Sequence, residues 1–270
     1  MDKQLSKDNY RAPELSVVVP VYNNAQTLID LYKRIDKVLE KFRITYEIIF
    51  VDDSSPENSV AILQQLAKED SRIAVLALEK NVGQHRAVLV GLSHARGDKS
   101  VILDADLQDP PEAIPLLLKE LDKGYSAVFA GRRGRYQSLP RLISSRLFKW
   151  TIHGLCGVPV DAGIYVMMDK SMVKSLLAID PRKPFVVAMI GCTNLPIRSI
   201  PVERDKRAHG KSAYSTWQRL KIGTQAIIWI IGYRLRSHHK KAEQSINKPR
   251  IRMYIGERFS SLTDKEMPLP

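Results

Sequence analysis

The chain has 270 residues, 44% of them apolar, and a formal net charge of +13. That length and apolar share exclude a disordered or fibrous chain and allow one large α/β domain or two small ones. The charge is end-loaded: from Arg198 onward 16 Lys and Arg face 6 Asp and Glu, against 26 and 23 before it. Such a segment points to an anionic partner, either nucleic acid or an acidic membrane surface.

In chain order, residues 15–22, "LSVVVPVY", form a β-branched run. Residues 25–42 follow, with Leu28, Leu31, Ile35, Val38, Leu39 and Phe42 at helical spacing. "YEIIFVDD" is the next strand, and "PENSVAILQQLAKED" a helix with Pro56 near its first turn. "RIAVLAL" is a third strand, "GQHRAVLVGLSHARG" a helix closed by Gly97, and "KSVILDAD" a fourth strand. "PPEAIPLLLKELDKG" is then a helix stopped by Gly124, and "SAVFAG" a fifth strand. This alternation predicts an α/β fold: a mostly parallel sheet with helices on both faces, whose ligand lies at the carboxyl ends of the strands.

Cys156 and Cys192 show no CxxC and no metal-type spacing to His, as expected of small buried residues in a reducing compartment. The opening "MDKQLSKDNYRAPE" is polar and mixed in charge, unlike a cleaved secretory signal, so a cytoplasmic location is expected. The apolar stretch at residues 222–233 is shorter than the ~20 residues a membrane span needs.

The strand ends carry "YNN" (Tyr22–Asn24), "DDSS" (Asp52–Ser55), "EKN" (Glu79–Asn81) and "DADLQD" (Asp104–Asp109). Neither GxGxxG after the first strand nor GxxxxGK[ST] anywhere is present, which argues against a dinucleotide enzyme or a P-loop NTPase. Carboxylates of Asp104 and Asp106 within about 5 Å would repel by about 3 kcal/mol at an effective dielectric of roughly 20. A hard divalent ion, Mg²⁺ or Mn²⁺, shared with substrate phosphates relieves that repulsion. Asp109-Pro110-Pro111-Glu112 instead fits a helix N-cap and capping box. Ser54 or Ser55 is expected to cap the helix that follows them, "PENSVAILQQLAKED". Asp52 and Asp53 are either turn residues or acceptors for a nucleoside's base and ribose.

"SVVVPVYNNAQTL", "IIFVDDSSPENS", "NVGQHRAVLVGLSHARGD" and "ILDADLQDPPE", in this order across residues 15–131, resemble family 2 inverting glycosyltransferases of the GT-A fold. Within that family they resemble the polyprenyl-phosphate, dolichol-phosphate mannose synthase-like branch. The resemblance implies a nucleotide-sugar donor held by Pro20, Tyr22, Asn24, Asp52, Asp53, Gln84, Asp104, Ala105 and Asp106. It implies a metal on Asp104, Asp106 and Gln108. It also implies a lipid-phosphate acceptor, with Arg133, Arg141 and Ser145 as its phosphate ligands; the competing reading of these arginines is a solvated basic helix face. "RAHGKSAY" looks like the family's R-x-x-G-x-S-x-Y loop, so Arg207, Ser212 and Tyr214 would close over the diphosphate. Asp161 of "DAGIYVMMDKS" is a candidate active-site carboxylate or a loop residue.

Two departures from the family stand out. Tyr165 is followed by Val166 where an arginine is usual, which places sugar choice and activity in question. The two membrane-spanning helices that end many bacterial relatives are replaced by "STWQRLKIGTQAIIWIIGYRLRSHHKK". This segment reads either as an amphipathic helix on the anionic inner face of the plasma membrane or as a core helix with a basic tail. The implied organisation is a tail over 1–13, a GT-A domain over 14–212, an amphipathic helix over 213–241, and a loosely ordered basic tail over 242–270. The expected partners are the donor, the lipid phosphate, an anionic membrane and a membrane protein. Rival readings are transfer to a sugar hydroxyl with Asp161 as base, a nucleic-acid-binding module, and an inactive transferase-like scaffold. The acidic strand ends and the lack of RNP, zinc-finger or helix-turn-helix signatures argue against nucleic acid.

Overall fold

The structure, a computed structural model, describes residues 12–133, 139–179, 184–205, 216–237, 249–256 and 259. Side chains at 132–133, 139–147, 216–222 and 236–237 lie outside the description. The β-branched runs become strands, and the helically spaced segments become helices laid across them. In order these are β1 (Leu15–Val21), α1 (Leu28–Lys41), β2 (Tyr46–Asp52), α2 (Ser59–Glu69), β3 (Ile73–Leu78), α3 (Gln84–Ser93), β4 (Lys99–Ile102), α4 (Ile114–Leu121) and β5 (Ala127–Arg133). Beyond them lie α5 (Leu139–Cys156), β6 (Val166–Asp169), α6 (Lys170–Ile179), α7 (Val186–Cys192), β7 (Ile197–Glu203), α8 (Thr216–Ser237) and β8 (Ile251–Ile255).

The strands form one eight-stranded sheet in the order β7-β5-β6-β4-β1-β2-β3-β8. The β1–β2, β1–β4, β2–β3 and β5–β7 pairs are parallel; β6 and β8 run antiparallel to their neighbours. From β1 the chain winds first to β2 and β3 and then crosses to β4 on the other side. That reversal opens a crevice above the carboxyl ends of β1 and β4, where α/β sheets hold their ligands.

Every residue of β1, β2 and β3 is buried, as a strand covered on both faces requires. Alternate side chains enter two cores. Val17 and Val19 join the Leu28, Leu31, Ile35 and Leu39 stripe of α1, while Val18 and Ile49 join Val88 and Leu92 of α3. Each such side chain contributes about 1.5–3 kcal/mol by leaving water. One buried carboxylate crosses the layers: Glu47 accepts from Ser16 Oγ (2.7 Å), the Arg96 amide (2.7 Å) and Arg96 Nε (2.9 Å).

Several expectations shift. Phe42 falls past the end of α1 and is 53% exposed, with Lys41 over its ring. β4 stops at Ile102, so residues 103–106 belong to the loop that follows it. Helix α3 ends at Ser93 with His94 as its C-cap, and Gly97 instead lets the chain pass close over Ser16, whose Oγ accepts its N–H (2.9 Å). Within the stretch read as a loosely ordered tail, Ile251–Ile255 form β8 on the edge of β3.

The C-terminal helix is α8 (Thr216–Ser237), and it packs on the domain. Gly223 packs on Phe148 of α5, and Ala226 and Ile230 are core residues. Ile228, Ile231 and Leu235 form an outward row, 70%, 44% and 69% exposed. Among the described residues, no helix is long and apolar enough to cross a membrane.

Candidate active site

The rim over β1 and β2 is built by two aspartates that face different ways. Asp52, fully buried, accepts from Ser59 Oγ (2.7 Å) and the Ser55 amide (3.3 Å), tying down the start of α2. Asn58 is the N-cap of that helix and makes no side-chain cap bond, so neither Ser54 nor Ser55 caps it. Pro56 accordingly lies in the loop ahead of the helix, which starts at Ser59. Asp53 straps the next loop: its carboxylate accepts the Val82 and Gly83 amides at 2.7 and 2.8 Å. Gly83 holds φ 90°, a conformation glycine adopts without a Cβ clash, and so presents its N–H to Asp53. Burial, only partly offset by those two amides, pushes the Asp53 carboxyl up to about 6, with Asp52 adding to the rise. Pro20 lies within β1, and Tyr22, 38% exposed, and Asn24 follow it at the rim.

The loop after β4 carries the two aspartates expected to hold a metal. Asp104 Oδ1 accepts from the Gln84 side-chain amide at the first residue of α3. Asp106, 8% exposed, accepts the Gln108 amide at 3.1 Å, closing a tight turn in which Leu107 adopts φ 62°. Thr27 Oγ1 donates to the Ala105 carbonyl at 2.5 Å, and the Gln108 carbonyl accepts the Asp205 amide at 3.1 Å. The loop is thus fastened from both ends of the molecule.

Asp109 does not cap the following helix. Pro110 occupies the N-cap of a short 3-10 turn over Pro111–Ala113, with no side-chain cap bond, and Glu112 pairs outward with Arg34 at 2.7 Å. Asp109 is instead wholly buried, accepting the Asp104 amide at 3.2 Å and the Arg204 guanidinium. The proline rigidifies the turn without needing a cap, and the carboxylate is drawn inward by Arg204. Arg204 also lies 3.9 Å from Asp104 Oδ2. The strand pattern in the sequence does not point to Arg204, because β7, which delivers it to the rim, has alternating exposure and no continuous β-branched run. The signal was its place three residues before Arg207, in the same basic loop.

Asp161 sits over β5. A Cβ on Gly131 would overlap both Asp161 Oδ2 and Ser199 Oγ, so the glycine makes room for two side chains that meet there. Ser199 Oγ is buried with no hydrogen-bond partner among the described residues. Val166, at the position of the expected arginine, is fully buried in β6 between Ile102 and Phe129, within the apolar core. Tyr165 before it donates its hydroxyl to the Pro110 carbonyl at 2.8 Å, bracing the metal-candidate loop from behind. Arg133 ends β5, and Arg141 and Ser145 lie on α5, but their side chains are outside the described residues, as are Arg207, Ser212 and Tyr214 altogether.

Among the described residues, no group of three or more His, Cys, Asp or Glu side chains forms a protein-only metal cage. The donor set of Asp104 and Asp106 suits a hard cation that draws its other ligands from substrate phosphates and water, the usual manner of Mg²⁺ and Mn²⁺.

The glycosyl transferase family 2 profile matches residues 16–173. The chain is 35% identical over 211 residues to the undecaprenyl-phosphate 4-deoxy-4-formamido-L-arabinose transferase of Edwardsiella ictaluri, covering 77% of this chain and 65% of that protein. It is 36% identical over 211 residues to the transferase of the same name from Pseudomonas aeruginosa (strain LESB58), covering 77% and 62%. The chain spans 62–67% of the length of such curated relatives. Among solved structures, glucosyl-3-phosphoglycerate synthase from Mycobacterium tuberculosis, bound to Mn²⁺, UDP-glucose and phosphoglyceric acid, superposes with a TM-score of 0.60 at 18% identity. That superposition covers 90% of this chain and 89% of the synthase. Mannosyl-3-phosphoglycerate synthase from Rubrobacter xylanophilus gives 0.57 at 18% identity, over 91% and 87%. These structures share the fold.

Proposed function

Because the chain belongs to glycosyl transferase family 2 and has the GT-A architecture, we propose that it transfers a sugar from a nucleotide-sugar to a polyprenyl phosphate such as undecaprenyl phosphate, inverting the anomeric carbon. The observation that carries this reading is the Asp104–Asp109 loop at the β1/β4 crossover, held in one shape by Gln84, Asp109 and Arg204. The relatives about one third identical are named as undecaprenyl-phosphate sugar transferases, which supports the acceptor class.

The donor's nucleoside lies against the rim of Pro20, Tyr22, Asn24 and the Asp52–Asp53 turn, with its diphosphate over Asp104, Ala105 and Asp106. Arg207 and Ser212 are assigned to the same diphosphate. Asp104 and Asp106, with Gln108 beside them, would hold a Mg²⁺ or Mn²⁺, which would supply charge neutralisation for the departing nucleoside diphosphate. Mn²⁺ in the structural neighbour supports that choice. Arg204, tied to Asp109, adds a fixed positive group near the same phosphates. The acceptor phosphate, bound by Arg133, Arg141 and Ser145, is anionic at neutral pH, so its oxygen attacks the anomeric carbon without losing a proton first. The carbon–oxygen bond to the diphosphate breaks as the new one forms. Asp161, half-buried beside Gly131 and Ser199, is assigned the role of orienting the reacting centre. The exposed row Ile228, Ile231 and Leu235 on α8 gives the protein a face to rest on the membrane that holds the lipid acceptor.

The acceptor class is tested by offering the protein undecaprenyl phosphate and, separately, oligosaccharides with free hydroxyls, each with a panel of nucleotide sugars and Mn²⁺. Glycolipid alone is the expected product. Transfer to the hydroxyl acceptors, abolished by Asp161→Asn, would replace the lipid reading with a hydroxyl acceptor and Asp161 as base.

A further inference from the structure

Thr27 occupies the N-cap of α1, yet its side chain makes no cap hydrogen bond. An N-cap threonine ordinarily turns its oxygen to the free amides of the first helical turn. Here the buried side chain is turned to the next loop instead: Oγ1 lies 2.5 Å from the Ala105 carbonyl and 2.9 Å from the Asn24 carbonyl. The Asn24 carbonyl already accepts the Thr27 amide at 3.0 Å. A hydroxyl has one proton to give, and the shorter contact takes it to Ala105, 78 residues along the chain.

Ala105 stands between the two aspartates of the metal-candidate loop. Its carbonyl belongs to the same planar peptide unit as the Asp106 amide, so a bond to that oxygen fixes the plane from which Asp106 projects. The turn needs such a restraint, because Leu107 holds φ 62°, a left-handed conformation that a side chain with a Cβ enters at a cost. Gln84 grips the Asp104 carboxylate, and the Gln108 amide donates to the Asp106 carboxylate at 3.1 Å; both act on side chains. Thr27 acts on the backbone that joins them, and the 3-10 turn Ala25–Thr27 connects it directly to the rim residues Tyr22 and Asn24. We propose that Thr27 is a positioning residue of the metal site, which sets the direction of the Asp106 carboxylate through the Ala105 carbonyl and ties the nucleoside rim to the metal loop. This assignment rests on the sugar-transfer reading and concerns a residue that acts through Asp106.

The test uses the full chain as native sequence, Thr27→Val and Thr27→Ser. Each is titrated with Mn²⁺ in the presence of UDP or GDP, with free Mn²⁺ read by electron paramagnetic resonance, and amide hydrogen exchange over residues 103–108 is followed on the metal-free protein. Thr27→Val keeps the shape and removes the proton; it is expected to weaken Mn²⁺ binding about tenfold and to speed exchange in that loop about tenfold, with α2 and β2 unchanged. Thr27→Ser keeps the donor and is expected to stay within about twofold of the native chain in both readouts. Equal losses in the two variants would trace the effect to packing of the methyl group and overturn the assignment. So would native Mn²⁺ affinity or native loop exchange in Thr27→Val, or exchange that rises throughout the sheet. A native chain that binds no Mn²⁺ with either nucleotide would instead bring down the transferase reading, and this assignment with it.

Discussion

Replacing Asp109 by Asn separates the two roles that its position allows. Asn keeps an oxygen to accept the Asp104 amide at 3.2 Å but removes the charge opposite Arg204. Asp109 is fully buried and the Arg204 side chain is 15% exposed, so the variant leaves a largely desolvated guanidinium with, among the described residues, only the Asp104 carboxylate, 3.9 Å away, as counter-charge. Breaking one side of such a pair costs about 3–5 kcal/mol, and the partial exposure of Arg204 places the expectation near 3 kcal/mol. A helix cap in the same place would cost about 1 kcal/mol and would couple to Glu112. Urea denaturation of D109N, R204M and the double variant reads the difference. A coupling energy above about 2 kcal/mol is expected for that pair, while D109N and E112Q should add within about 0.5 kcal/mol. D109N should also weaken Mn²⁺-dependent nucleotide binding, since Asp104 loses the frame that aims it. A D109N cost below about 1 kcal/mol, additive with R204M, would refute the bracing role.

At Gly131, Ala would press a methyl group into Asp161 and Ser199; a loss of about 1–3 kcal/mol in stability is expected, with transfer activity falling further than stability. Gly154 on α5 has nothing within 4 Å of its Cβ position, so Gly154→Ala is the control, neutral or slightly stabilising in a thermal melt. For Asp53, the rise from 3.8 to about 6 means the folded state holds its proton more tightly than the unfolded chain. The associated stability is present in full below about 3.9 and fades as pH climbs through about 6, for a total of about 3 kcal/mol. Carboxyl carbon NMR should place the Asp53 midpoint near 6, and a midpoint at the ordinary Asp value would contradict the desolvation argument. On α8, Ile228→Glu with Leu235→Glu should abolish flotation with anionic liposomes and leave the melting temperature unchanged, both residues being about 70% exposed. Unaltered flotation would remove this face from membrane docking.

The first half of the fold was legible because β1, β2 and β3 are buried on both faces and therefore spell continuous β-branched runs. The later strands carry no such run. β7, "IRSIPVE", is an edge strand with alternating exposure that tolerates Pro201, and β8, "IRMYI", is a short opposite edge. β6 is four residues of which two are methionine. The same division holds at the site. Asp104 and Asp106 could be placed at a strand end from local sequence alone, whereas the role of Asp109 depends on Arg204, 95 residues away. Local sequence offered only the capping pattern, which the inward pull of that arginine overrides. The absent family arginine likewise has its reason in the fold, where Val166 lies in the apolar core between β4 and β5.

The central claim, metal-assisted transfer of a sugar to a lipid phosphate at the Asp104–Asp106 loop, is tested most directly by one measurement. The protein is incubated with Mn²⁺, radiolabelled nucleotide sugar and undecaprenyl phosphate, and labelled glycolipid is quantified beside Asp106→Ala and a chelator control. Product with the native chain, reduced at least about a hundredfold in both controls, is the expected result. Product formed equally well by Asp106→Ala, or no glycolipid from any donor, would contradict it.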